Sequence, residues 1–383
     1  MQYRHIDKWG LDVSTFGLGC MRYPIKPDPQ DSSKHITDEE QSIEMIRYAY
    51  NHGVNYFDTA YVYGGGESER ILGKALKGIR EKVYVATKLP PWKAESYADL
   101  ERLLDESLLR LQTDYVDFYL LHSLGEDTWK KLVELDALRF LDEMKRKCKI
   151  KYACFSFHDV LPVFKTIIDA YDWDMAQVQF NILDENYQAG LEGVQYAASK
   201  NIPIVVMEPL RGGFLATQSQ EVMDIWATTG SQRSPQDWAF RWVGSFPEVA
   251  TILSGSSSVA QVTDSIQLFD AIVPGCMDDK TRQVAKEVQA SYQKRSAIGC
   301  TGCGYCTPCP NNVDIPHIFH LWNDAYMLED FKSAGNWFKG TERNNEGPSA
   351  CIECGICEGL CPQHLPIIEK LQACKTDFAA HAE

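Results

Sequence analysis

Long apolar runs are missing from this chain of 383 residues: no stretch approaches the roughly 20 consecutive apolar residues that a membrane-spanning helix needs. The opening, Met1-Gln2-Tyr3-Arg4-His5-Ile6-Asp7-Lys8, lacks the apolar segment of a secretion signal, so a soluble, cytoplasmic protein without a membrane role is expected. Positive charge is also short. Lys and Arg total 38 against 53 Asp and Glu, and the formal charge of -15 repels nucleic acid and anionic membranes at long range. A glycine-rich dinucleotide fingerprint is absent too: Gly17-Leu18-Gly19 lacks a third glycine and runs into Cys20-Met21-Arg22, which argues against an open doubly wound sheet. With 44% hydrophobic and 24% charged residues, the composition is that of ordinary globular domains, not of a disordered chain or coiled coil.

Cysteine is scarce until residue 300 and dense after it. Cys20, Cys148, Cys154 and Cys276 are scattered singly, whereas the other nine of the 13 cysteines lie between Cys300 and Cys374. A boundary therefore falls near residue 299, and the reading divides the chain into a domain over 1–275, a linker helix over 276–298 and a second domain over 299–383. In the first part, short β-branched or aromatic runs alternate with amphipathic stretches, the pattern of parallel strands joined by crossover helices. Eight runs qualify: 15–19, 54–59, 83–88, 115–122, 152–157, 175–181, 204–208 and 249–255. Eight such units in about 275 residues predict an α/β fold, a (β/α)8 barrel. Thr37-Asp38-Glu39-Glu40 reads as a capping box opening a helix that Gly53 closes, and Ser234-Pro235 opens another. Residues 3–6 and 11–13 around Lys8-Trp9-Gly10 read as a hairpin that plugs the lower end of the barrel.

Barrel chemistry sits at the C-terminal ends of the strands. There the second run ends in Asp58-Thr59-Ala60 with Tyr63 just beyond, the third in Lys88 and the fourth in His122. An acid, a phenol, an amine and an imidazole thus share one rim. A nearby ammonium favours phenolate, so Lys88 is expected to make Tyr63 a better proton donor, with Asp58 holding Lys88 charged and His122 bonding a substrate oxygen. That set suits carbonyl reduction, in which hydride reaches carbon while Tyr63 protonates the oxygen. Singly, these residues read as well as a structural ion pair, a core histidine and a loop aromatic; their joint placement favours catalysis.

Residues 3–268 resemble the aldo-keto reductase family, through Asn55-Tyr56-Phe57-Asp58-Thr59-Ala60 with Tyr63-Gly64 and through Asp114-Tyr115-Val116-Asp117-Phe118-Tyr119-Leu120-Leu121-His122. The resemblance implies a catalytic tetrad of Asp58, Tyr63, Lys88 and His122 and an NAD(P)(H) cofactor. It also implies that Ser156 and Gln179 bind the nicotinamide carboxamide, that Met207 packs on the nicotinamide, that Ser254 and Ser256 meet phosphate and that Asp264 meets the adenine. The chain departs from the family in three places. Phe157 follows Ser156 where an Asn is usual, Met207 stands where many members stack a Tyr, and residues 254–261 carry no Lys or Arg for a 2′-phosphate. NADH is thus expected to bind at least as well as NADPH, unless another basic residue, such as Arg211, takes that charge.

The cysteine spacing is Cys300-x2-Cys303-x2-Cys306-x2-Cys309-Pro310, then Cys351-x2-Cys354-x2-Cys357-x3-Cys361-Pro362. The second is the full bacterial ferredoxin run, and structural zinc would want pairs set apart by a longer spacer. Two [4Fe-4S] clusters are expected in a small, mainly helical ferredoxin-like domain. Since the fourth cysteine of each run ligates the other cluster in such domains, Cys300, Cys303, Cys306 and Cys361 would hold one, and Cys309, Cys351, Cys354 and Cys357 the second. The chain thus reads as an oxidoreductase acting on a small carbonyl or alcohol, with clusters that exchange electrons with a ferredoxin-type partner. Two other readings stand beside it: an electron-transfer or docking protein with a silent barrel, and a carbonyl reductase whose clusters are structural.

Overall fold

A computed structural model describes residues 1–300, 302, 304–361 and 363–381. Among these the chain divides into two compact units, Met1–Gln218 with Arg233–Asp279, and Ser219–Gln232 with Lys280–Glu383. The first is a closed, all-parallel barrel of eight strands in chain order. We label them β1 (Phe16–Gly19), β2 (Tyr56–Asp58), β3 (Tyr84–Leu89), β4 (Val116–Leu124), β5 (Ile150–Phe157), β6 (Met175–Gln179), β7 (Ile204–Met207) and β8 (Val249–Ser254). Each falls on an expected run. Such strands are buried on both faces, which is why they read as nearly continuous apolar stretches and not as alternating ones. No helix among the described residues is long and apolar enough to cross a membrane.

The barrel interior is filled with side chains rather than hollow. Tyr56, Ala86, Phe118, Leu120, Cys154, Met175, Val205 and Leu253 form one buried cluster with Trp9, which rises from the hairpin formed by Tyr3–Ile6 and Leu11–Ser14. The Trp9 ring meets Phe118 edge to face at 4.7 Å, and its Nε1 donates to the Asp174 carbonyl at 2.8 Å. An indole in the core needs such an acceptor. The predicted plug is therefore present at the end opposite the strand C-termini.

Two local features differ from expectation. The helix Glu39–Asn51 is capped by Asp38, whose side chain accepts from Gln41 N at 3.3 Å, and not by Thr37. Thr37 is engaged as the last residue of a second hairpin, Ile25–Asp28 paired with Asp31–Thr37, which leaves the cap to its neighbour. That hairpin was not foreseen because its first strand lacks a buried apolar face. The Ser234 cap is as expected, its hydroxyl accepting from Asp237 N at 3.2 Å.

The second unit has its own core. Ile298, Ile318, Phe319, Trp322, Leu371, Cys374 and Phe378 pack together, drawn largely from the helices Ile315–Met327 and Ile367–Ala380. Asn323 staples the start of this unit by accepting from Ile298 N and donating to the Ile298 carbonyl, both at 2.9 Å. The helix Asp279–Gln293, read as a linker, clusters with this unit, as do residues 219–232 from the segment after β7. Glu221 accepts from Ser291 Oγ at 2.7 Å and from Arg295 Nη2 at 2.8 Å.

Candidate active site and cysteine-lined cavities

Asp58 closes β2 and pairs in register with Ala86, two residues before Lys88 on β3. The Lys88 ammonium donates to Asp58 Oδ1 at 2.6 Å and to the Thr59 carbonyl at 2.7 Å, with both charged side chains buried. The β3 end is held from outside as well: Thr87 Oγ1 donates to the buried carboxylate of Glu69 at 2.5 Å, and Arg110 neutralises that carboxylate through Nε at 2.6 Å. Lys88 lies 5.0 Å from the centroid of the Tyr63 ring. Tyr63 in turn meets the His122 ring edge to face at 6.0 Å. The four tetrad side chains are therefore brought together at one rim.

Their electrostatics refine the expectation. Burial pulls the Lys88 amine down, but Asp58, through charge and hydrogen bond, outweighs it together with Tyr63, so the ammonium is held above its usual range. Burial pushes the Tyr63 phenol above 10; the Lys88 cation pulls it down, as expected, without overcoming the burial, and Asp58 and Glu208 add to the rise. Tyr63 thus keeps its proton at neutral pH, as a proton donor must. Burial, then the Lys88 cation, push His122 down to about 3, so its imidazole is neutral. A neutral imidazole carries one N–H to offer to a carbonyl oxygen.

His122 is aimed by a break in its own strand. The register of β4 against β5 shifts between Leu121 and Leu124, with Ser123 at φ 54°, and Ser123 N donates to Ser156 Oγ at 2.8 Å. A bulge of this kind re-aims the side chain next to it.

Gln179, on β6, is in register with Met207 on β7. It is buried, and its Nε2 has no hydrogen-bond partner among the described residues. An orphaned buried amide is costly unless a ligand meets it. Ser156 is buried beside Gln177, its register partner. Phe157 faces away from the interior, onto Phe164 of the outer helix Leu161–Asp169 at 5.1 Å, so it supplies no substitute for the family's Asn. Ser254 and Ser256 are buried at and just after the end of β8, whereas Asp264 is exposed on the helix Val259–Phe269. Arg211 is buried with its Nε on Asp184 Oδ2 at 3.0 Å.

Three residues at this mouth were not foreseen. Gln177, one strand pleat below Gln179, donates from Nε2 to Asp58 Oδ2 at 3.0 Å, so Asp58 is held at both oxygens. A contact across the barrel between residues 119 apart leaves no local pattern. Trp92, half-exposed after β3, tilts over His122 with centroids 5.4 Å apart. Arg22, exposed after β1, donates from Nη1 to the Gly212 carbonyl at 2.9 Å.

In the second unit the cysteines line two cavities. One is lined by Cys306, Cys309, Cys351, Cys354 and Cys357, with Ile352 and Ile356 beside them. The other is lined by Cys300, Cys306 and Cys361 with Ile315, Phe319 and Leu365. Cys303 lies outside the described residues. Cys306 and Ile315 border both cavities, so the two are neighbours. Glu353 N donates to Cys351 Sγ at 3.4 Å, a bond that stabilises negative charge on sulfur. No three described His, Cys, Asp or Glu side chains converge as they would around a single metal ion. Cysteines gathered around two adjoining hollows suit polynuclear iron-sulfur groups better than one tetrahedral zinc.

The aldo/keto reductase family model matches residues 16–274, and the 4Fe-4S dicluster domain model matches residues 299–366. The chain is 26% identical over 305 residues to L-galactose dehydrogenase of Arabidopsis thaliana, covering 73% of this chain and 92% of that protein. It superposes with a TM-score of 0.63 on the holo form of aldo-keto reductase AKR11C1 from Bacillus halodurans, at 25% identity over 75% of this chain and 96% of that one. An aldo-keto reductase from Klebsiella pneumoniae, solved in complex with NADPH, shares the fold with a TM-score of 0.60 at 21% identity, over 75% of this chain and 95% of that one. The first model spans well over half of the chain, and the protein therefore belongs to the aldo/keto reductase family, as an oxidoreductase of that family with a 4Fe-4S dicluster domain C-terminal to its barrel in the sequence.

Proposed function

We propose that the barrel reduces a small carbonyl compound, or oxidises the corresponding alcohol, with Tyr63 as the proton donor. The observation that carries this reading is the constellation of a protonated Tyr63, a buried Lys88–Asp58 pair and a neutral His122 on one rim. Bound NADH or NADPH would supply the hydride, and the NADPH complex of the Klebsiella pneumoniae relative supports a cofactor of this class. The orphaned Gln179 amide, with Ser156, would meet the carboxamide, and Met207 would pack on the ring. Tyr63 gives its proton to the substrate oxygen as charge develops there. Lys88, held cationic by Asp58, stabilises the phenolate left behind, and Gln177 fixes Asp58. His122 donates to the same oxygen, while Trp92 walls the substrate side. Because His122 protonates only near 3 and Tyr63 loses its proton only above 10, kcat for anaerobic aldehyde reduction with saturating NADPH should stay flat between about pH 5 and 9. A titrating limb inside that window, or no reduction across a broad aldehyde panel, would contradict the assignment.

The crossed grouping of the cysteines supports two [4Fe-4S] clusters, one held by Cys309, Cys351, Cys354 and Cys357 and the other by Cys300, Cys303, Cys306 and Cys361. Their side-by-side cavities support passage of electrons from one to the other and on to a ferredoxin-type partner. Cys309→Ala then removes a ligand from the cluster of the other run. Anaerobically purified variant protein should lose that cluster and hold about half the wild-type iron and acid-labile sulfide. Retention of all the iron would break the crossed assignment.

A further inference from the structure

Tyr63 is followed by a stretch of chain that cannot fix itself. Gly64, Gly65 and Gly66 come directly after it with φ of 56°, 66° and 96°, and a Cβ on Gly65 would meet nothing within 4 Å. Glycine admits these angles but gives the segment no side chain to pack. The distance from the Tyr63 ring to Lys88 must therefore be set from outside the segment.

The next helix, Glu67–Leu76, begins the frame. Glu69 and Gly73 are four residues apart and share one face of it. A Cβ on Gly73 would lie 2.6 Å from the Leu111 backbone, so glycine there lets the helix Tyr97–Leu111 approach closely. That approach brings Arg110, near the end of the second helix, against the fully buried carboxylate of Glu69.

From this place Arg110 reaches three points around the proton donor. Its guanidinium lies 4.1 Å from the ring centroid of Tyr61, two residues ahead of Tyr63, and the Tyr61 hydroxyl donates to Glu106 Oε2 at 2.5 Å on the same helix as Arg110. A Cβ on Gly66, three residues past Tyr63, would come within 3.9 Å of Arg110 Cδ and Nε. Arg110 Nε donates to Glu69 Oε2 at 2.6 Å, and Glu69 Oε1 accepts from Thr87, the neighbour of Lys88. One cation thus touches the chain on both sides of Tyr63 and, through Glu69, the strand end that carries Lys88. A purely structural ion pair accounts for Glu69 but not for the stack on Tyr61 or the seat along Gly66.

We infer that Arg110 is a positioning residue, which fixes the Tyr63 phenol at its working distance from the Lys88 ammonium; this rests on the proton-donor reading above. The planar fork matters here. A lysine could keep a charge beside Glu69 but could not also stack on Tyr61.

The test compares Arg110→Lys, Tyr61→Leu and Tyr61→Phe with wild-type holo-protein. Arg110→Lys keeps a cation beside Glu69, and Tyr61→Leu leaves the ion pair intact, so neither strands a buried charge. Both should lower kcat for aldehyde reduction about tenfold, with KM and NADPH affinity within about twofold of wild type. Tyr61→Phe keeps the ring and should restore most of what Tyr61→Leu loses. The reverse reaction reads the geometry directly. In alcohol oxidation with NADP+, the Tyr63 phenolate takes the hydroxyl proton as hydride leaves carbon for the nicotinamide, so the rate rises with pH as the phenol titrates. Lys88, Asp58, Glu208 and His122 face Tyr63, and of these Lys88 favours the phenolate while Asp58 and Glu208 oppose it. A looser Tyr63–Lys88 spacing weakens the favourable influence, so the rising limb should move to higher pH in Arg110→Lys and Tyr61→Leu. Unchanged kcat and an unmoved limb in both variants would overturn the inference. So would parallel losses in kcat, nucleotide affinity and thermal midpoint with the limb in place, which mark a residue that only holds helices together. If Tyr63→Phe kept wild-type turnover, the proton-donor reading itself would fall, and this inference with it.

Discussion

Tyr63→Phe should cut kcat for carbonyl reduction by about 10²- to 10⁴-fold while leaving NADPH affinity within about twofold, because the exchange removes a proton donor and keeps the ring. The phenol is suited to this use by opposing influences. Burial keeps it protonated in the free protein, and Lys88 stands ready to stabilise the phenolate once the proton has gone. A shared loss in KM and kcat, or near-full activity, would count against this role, since the first indicates lost binding and the second another donor. Single-turnover mixing of the NADPH complex with aldehyde is the measurement that separates them.

Lys88→Met should lower activity by a comparable factor and also destabilise the barrel, by about 3 to 5 kcal/mol. The two losses have one cause. Removing the ammonium deprives the Tyr63 phenolate of its counter-charge and leaves Asp58 buried with Gln177 as its one remaining described side-chain partner. An uncompensated buried charge costs more than the lost ion pair was worth. The double variant Lys88→Met with Asp58→Leu should therefore unfold at higher urea concentration than Lys88→Met alone, yet recover no activity. If the single variant were as stable as wild type, the pair would not be buried in the sense described. If the double variant regained turnover, Lys88 would serve only to neutralise Asp58.

Much of this was legible in the sequence because it is local. Each barrel strand is a short run buried on both faces, so its composition alone marks it, and the tetrad residues stand where those runs stop. The cysteine runs are legible because cluster ligation demands fixed spacing along the chain. What escaped depends on contacts across the fold. Gln177 meets Asp58 from the far side of the barrel, Arg211 finds Asp184, and Arg22 finds Gly212, across 190 positions. The hairpin over 25–37 escaped for another reason: its first strand is mostly exposed, so no apolar alternation announces it. The balance at Tyr63 was misjudged because charge partners can be guessed from strand order, whereas the extent of burial cannot.

In the proposed reaction, hydride passes from the nicotinamide to the substrate carbon beside Tyr63, with the clusters outside that path. The most direct test is anaerobic reduction of an aldehyde by NADPH carrying deuterium on the transferring face of C4, with mass analysis of the alcohol. One deuterium at the former carbonyl carbon, with cluster absorbance unchanged during turnover, is the predicted result. Alcohol that carries solvent hydrogen at that carbon, formed as the clusters bleach, would contradict the account.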